Sequence, residues 1–107
     1  SHGFHIHETG SCVAPDFDSA GGHYAPRGHA HGVLHERGYH GGDLLNLHVP
    51  ETGAVTTERL ATDVTLRGDA PLLDEDGSAL VIHANADDYV SQPSGGGGPK
   101  VACGVIR

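Results

Sequence analysis

Seventeen glycines and six prolines are scattered through 107 residues, and they leave almost no room for a helix. No window of about 11 residues keeps an apolar stripe at i, i+3, i+4 and i+7, because Gly or Pro interrupts nearly every candidate. Short strand signals are plentiful. Phe4-His5-Ile6-His7 alternates, Leu45 to Val49 alternates imperfectly, and Ala54 to Leu66 is rich in Val and Thr. Ala79 to Ala84 and Val101 to Ile106 read as buried strands bounded by turn residues. Turn signals at Glu51-Thr52-Gly53 and Asp76-Gly77 separate them. There is no internal repeat. The pattern predicts an antiparallel all-β fold, sandwich or barrel.

The length is that of one domain, residues 1–107. The longest aliphatic run, Ala79-Leu80-Val81-Ile82, is far short of the ~20 residues of a membrane helix, so no membrane span is expected. A formal charge of −8 argues against nucleic acid as a partner. The opening Ser1-His2-Gly3-Phe4 has no initiator Met and runs straight into a strand pattern, which suggests numbering that starts inside a longer sequence. Cys12 and Cys103 stand at neither a zinc-knuckle nor a redox spacing. They are either two buried thiols or a long-range disulfide. The second suits a small, apolar-poor domain, and implies an oxidising compartment, periplasmic or extracellular.

Ten histidines are the compositional anomaly. His5 and His7, two apart in a strand, leave the same face of a sheet about 7 Å apart and can converge on one ion. His83 closes the strand Leu80-Val81-Ile82. The stretch Thr9 to Gly42 has no periodicity and carries His23, His29, His31, His35 and His40, with Asp43 just beyond; a metal that orders it explains such a loop better than disorder does. His and a carboxylate in a four-ligand set suit Zn²⁺, and an all-imidazole set suits Cu²⁺. A second long loop, Asn85 to Pro99, ends in Gly95-Gly96-Gly97-Gly98 and is expected to be flexible.

Gly3 to Glu8, Cys12, Gly21-Gly22-His23-Tyr24-Ala25-Pro26, His31-Gly32, His40-Gly41-Gly42-Asp43-Leu44, Asp76-Gly77, Val81 to Ala84, Asp87-Asp88 and Gly98 to Ile106 form one set of motifs in order along the chain. Together they resemble the Cu/Zn superoxide dismutases of the bacterial, shorter-looped type. The resemblance implies copper held by His5, His7, His23 and His83, and zinc held by His23, His31, His40 and Asp43. His23 is then the bridge. Asp87 matches the carboxylate that hydrogen-bonds one copper ligand and one zinc ligand. His2, His29, His35 and His48 match no ligand and read as surface residues; Asp74-Glu75-Asp76 reads as a solvated turn.

The implied fold is a Greek-key β-sandwich or flattened barrel with two long functional loops. This chain departs from it in two ways. The family's first three strands precede the Gly-Phe-His motif, so about five of eight strands are expected here, leaving the inward faces of Leu66, Leu80, Ile82 and Val105 to be covered by a preceding segment or a partner chain. Lys100 stands where the family usually has Arg. It keeps the charge without the planar fork. The implied activity is disproportionation of superoxide anion, with His23 and Lys100 as catalytic residues. The alternative is a non-enzymatic copper/zinc storage or delivery module. A copper-only dismutase is disfavoured by the retention of His31, His40 and Asp43. A homodimer is left open.

Overall fold

The computed structural model describes residues 1–36 and 39–107. Three strands, β1 (Phe4–His7), β2 (Ser78–His83) and β3 (Lys100–Ile106), form one antiparallel sheet in the order β1-β2-β3. Register sorts the side chains. Phe4 pairs with Ile82, and Ile6 with Leu80, which itself faces Gly104; these residues share one side of the sheet. His5 pairs with Val81 and His7 with Ala79, and Val81 faces Cys103, so the imidazoles share the other side with small apolar residues and Cys103.

Each side has its own apolar cluster. Phe4, Ile6, Tyr24, Leu44, Leu47 and Leu72 form the larger one. Ala20, Ala79 and Val81 form the smaller, packed against Cys12 and Cys103. Those two cysteines are joined in a disulfide, Cα–Cα 5.7 Å, which ties the start of the first long loop to β3.

The free edge of β1 is occupied by loop residues. Ile6 donates to Gly42 O at 2.8 Å, accepts from Tyr24 N at 2.8 Å, and Glu8 donates to Gly22 O at 2.9 Å. Isolated bridges pair His5 with Asp43 and His7 with His23. Backbone pairing thus carries two loop residues to the imidazole side of the sheet.

The sequence pattern over-counts the strands. Leu45 to Val49 forms a single bridge, Leu47 with His2, and Ala54 to Leu66 forms no strand, with one bridge from Thr65 to Pro71. The described residues therefore supply three strands rather than five. The physical reason is partnership: β-branched residues favour a pleated, half-buried surface, and residues 51–60 are exposed throughout. On the side of Phe4 and Leu80 the sheet borders an apolar groove of about 490 Å³, lined among others by Leu47, Val55 and Ile82. Leu66 is 58% exposed, while Leu80, Ile82 and Val105 are half-buried. No helix among the described residues is long and apolar enough to cross a membrane; the one helical piece among these described residues is a 3-10 turn at Asp18–Ala20.

Candidate metal centre

Burying imidazole without a partner is costly, so the hydrogen bonds of these residues are informative. His5 and His31 are fully buried, and His7 and His83 nearly so. The Nε2–H of His5 donates to Asp87 Oδ2 at 2.7 Å. The Nδ1–H of His7 donates to the Gly21 carbonyl at 2.8 Å, and the Nδ1–H of His83 to the Gly98 carbonyl at 2.9 Å. In each ring one nitrogen is thereby committed as a donor, which leaves the other as a bare lone pair.

Those remaining nitrogens converge. His7 Nε2 and His83 Nε2 lie 3.4 Å apart. His5 Nδ1 and His23 Nε2 are buried with no hydrogen-bond partner. Ligand atoms of His5, His7, His23 and His83 all fall within 4.8 Å of one another. Orphaned lone pairs turned toward a common point fit a cation and fit little else.

The other nitrogen of His23 belongs to a second cluster. Its Nδ1 lies 3.4 Å from Asp43 Oδ1 and 3.3 Å from His40 Nδ1. His31 Nδ1 lies 2.8 Å from the same carboxylate oxygen, and His40 Nδ1 3.8 Å from it. Ligand atoms of His5, His23, His31 and Asp43 also gather within 4.8 Å, since the His5 and His23 rings are only 4.1 Å apart between centroids. His40, a ligand in the set implied by the resemblance, stands at the rim of this group. One imidazole therefore faces two clusters at once.

Asp87 joins the clusters from behind. Its Oδ2 accepts from His5, and its Oδ1 from His31 Nε2 at 2.9 Å. Residues that the motifs did not single out hold this carboxylate in place. Asn46 Oδ1 accepts from Asp87 N at 2.8 Å, Asn46 Nδ2 donates to Asp87 O at 2.9 Å, and Asn46 N donates to the Tyr89 hydroxyl at 2.9 Å. Gln92 clamps the backbone of His31 through both ends of its amide, at 2.8 and 2.7 Å. An Asn inside the apolar run Leu44 to Leu47 was the available signal.

Charge follows from this geometry. Burial pushes the imidazolium of His7 down to about 3 against the pull of the Gly21 carbonyl, and that of His23 down to about 4 against the pull of Asp43. Burial also lowers His83 and His40. For His31 burial is outweighed by its bonds to Asp43 and Asp87, and it shifts upward. Burial would raise both carboxyls, but donors prevail. His23, His31 and the Gly32 N–H hold Asp43 far below the usual range, and His5, His31 and the Tyr89 N–H bring Asp87 to about 2.

A cleft of about 230 Å³ opens onto His7, His23, His40 and His83, with Gly21, Gly22, Ser94 and Lys100 along its walls. His2 lies outside the clusters, donating from Nδ1 to the His83 carbonyl at 2.9 Å, and His29 donates to Tyr39 O at 3.2 Å. The Gly95–Gly98 stretch is not loose: Asp88 N donates to Gly95 O and Asn85 N to Gly97 O.

Sheet and site together define a small β-protein that presents two abutting, imidazole-rich clusters of metal-binding geometry. Residues 1–106 match the model of the copper/zinc superoxide dismutases, and the chain belongs to that family. It is 49% identical over 108 residues to the superoxide dismutase-like protein YojM of Bacillus subtilis (strain 168), covering 99% of this chain and 55% of that protein. It is 47% identical over 106 residues to a Cu-Zn superoxide dismutase of Aquifex aeolicus (strain VF5), covering 97% and 62%. A solved structure of a proline-to-histidine mutant of a SOD-like protein from Bacillus subtilis superposes with a TM-score of 0.95 at 49% identity, over 99% of this chain and 71% of that one. The chain thus spans between 55 and 62% of the length of these curated relatives.

Proposed function

We propose that residues 1–107 form the metal-bearing domain of a superoxide dismutase, catalysing 2 O₂⁻ + 2 H⁺ → H₂O₂ + O₂. One observation carries the reading: His5 Nδ1 and His23 Nε2 are buried, unpartnered and turned toward the Nε2 atoms of His7 and His83. On this reading those four nitrogens hold copper, and His23, His31, His40 and Asp43 hold zinc. Bound copper supplies a reversible one-electron couple, which zinc cannot.

The chain's own residues do the rest. His23 Nε2 has no competing hydrogen bond, so whenever that nitrogen were not engaged by copper it would be able to take up a proton and pass it to the reduced dioxygen species. Asp43, beside His23 Nδ1, fixes that ring from its far side. Asp87 fixes the tautomers of His5 and His31 together, which couples the two sites through one carboxylate. Lys100, in the wall of the cleft, supplies positive charge where an anion must enter a protein of net charge −8. The Cys12–Cys103 cross-link suits a periplasmic or exported location.

The test is a dismutation assay on the copper- and zinc-loaded protein, with and without a copper chelator. Chelator-sensitive activity that His23→Ala abolishes is expected. Tight binding of both metals without dismutation would overturn the enzyme in favour of a storage or delivery module, a reading favoured by the dismutase-like name of the Bacillus subtilis relative.

A further inference from the structure

Lys100 does not present its charge to the cleft unopposed. Its ammonium lies 3.4 Å from Asp18 Oδ1, and Asp18 is not among the residues that line the cleft. The lysine side chain is mostly covered, at 19% exposed, whereas the Asp18 side chain is 78% exposed. Lys100 therefore lines the cleft while its ammonium is paired with the carboxylate of a residue that does not.

Asp18 is held there by a bonded turn. It opens the 3-10 turn, its N–H donates to Asp16 Oδ1 at 3.0 Å, and its carbonyl accepts from Gly21 N at 3.0 Å. Ser19 Oγ accepts from Val13 N at 2.9 Å, next to Cys12. The disulfide then fixes this turn to β3, three residues from Lys100. Carboxylate and ammonium are thus mounted on two elements that one covalent link holds together. Loop 85–99, the other wall, contains no Lys or Arg.

We infer that Asp18 is a counter-charge that restrains anion capture: by pairing with Lys100 it reduces the positive potential at the cleft, and so sets the affinity, and its salt dependence, with which small monoanions are held at the metal centre. A paired ammonium acts on a distant anion as a dipole, whose field falls off faster than that of a free charge. The opposite role, in which Asp18 improves capture by anchoring the lysine, predicts the opposite sign. The inference rests on the proposed copper ligands, and its test is chosen to be separable from dismutation.

Azide is the probe. Its dissociation constant from the copper- and zinc-loaded protein is read from the copper absorption spectrum between about 10 and about 300 mM ionic strength. Asp18→Asn should tighten azide binding about two- to five-fold at low salt, with the gain shrinking as salt screens it. Asp18→Glu, which keeps the charge, should bind as the parent does. Adding Lys100→Gln to Asp18→Asn should cancel the gain, since no freed cation remains. All variants must carry equal copper. Unchanged or weaker azide binding in Asp18→Asn would overturn the inference, as would a gain that survives in the double variant. If azide responds as expected but no variant dismutates superoxide, the counter-charge stands and the dismutase reading falls.

Discussion

Residues 51–68 and residues 85–99 are both long and irregular, and both lie against the same three-stranded sheet. They could hardly be held more differently. Among the described residues, no backbone amide between Ala54 and Val64 finds a backbone partner, and residues 51–60 are exposed throughout. In 85–99 the chain is tied at nearly every step: Asn85 to Gly97, Asp87 to Asn46, Tyr89 N to Asp87 Oδ1 and Gln92 to His31. The first segment has the better β composition, and the second has four consecutive glycines. What orders a segment here is a set of buried polar groups that need answering, not the propensity of its own residues.

Four measurements bear on that difference. Acid should have the largest effect, and should act through the buried polar side. His7 and His23 are neutral in the fold down to about pH 3 and 4, whereas in the unfolded chain each takes up a proton near pH 6.5. Unfolding therefore binds protons below that pH, and stability falls as pH falls. Asp43 and Asp87, both depressed, contribute stability that is present above about pH 4 and lost as pH drops through their folded values, about 2 for Asp87. His31, shifted upward, works the other way, losing its contribution as pH rises past its folded value. The four lowered histidines, His7, His23, His40 and His83, and the two lowered carboxylates outnumber it. Denaturant midpoints of the metal-free protein should decline steadily from pH 7 to about pH 4; a flat profile would break the argument.

Removing the linking carboxylate comes next. Asp87→Ala leaves the outward N–H groups of His5 and His31 unanswered, and should weaken binding of both metals about 10- to 100-fold. Competition against a chelator of known affinity measures this. Full affinity in that variant would mean that loop 85–99 merely covers the ligands.

A pair of glycines gives a finer comparison. Gly95 and Gly53 both have positive φ, 68° and 77°, so alanine at either strains the backbone by a similar amount. A methyl group at Gly53 meets nothing, whereas at Gly95 it would collide with the Asp87 carboxylate and approach His31 Nε2 to 2.9 Å. Gly95→Ala should be the more destabilising by roughly 1–3 kcal/mol in chemical denaturation, the usual cost of overpacking. Equal effects would show that the Gly95 contact is soft. The smallest effect belongs to Leu60→Gln. Leu60 is 86% exposed, and the change should stay within about 0.5 kcal/mol. A larger loss would mean that segment 51–68 is packed more firmly than its exposure indicates.

The same contrast explains what could be read in advance. Period-two alternation marked Phe4 to His7, and short apolar runs marked β2 and β3, because those strands are paired and at least partly buried. The residues that the family resemblance pointed to lie in or beside the two clusters, with His40 at the edge of the second and His5, not expected there, drawn into it. Leu45 to Val49 and Ala54 to Leu66 misled because alternation reports suitability for a sheet, and a strand also needs a neighbour to bond. Asn46 and Gln92 escaped because each acts on backbone atoms far away in sequence, 41 and 61 positions respectively. The Gly95–Gly98 stretch looked flexible by composition, yet Gly95 is required there by the lack of space beside Asp87.

Each neutral imidazole has a single ring proton to place, and in His5, His7 and His83 that proton is already claimed by Asp87, Gly21 and Gly98. What the rings turn inward is therefore electron density facing electron density. A proton can reconcile two such lone pairs at most, whereas a metal ion engages all of them at once. The fold is frustrated toward a proton and satisfied by a multiply coordinated ion. Coordination number is the quantity this arrangement selects.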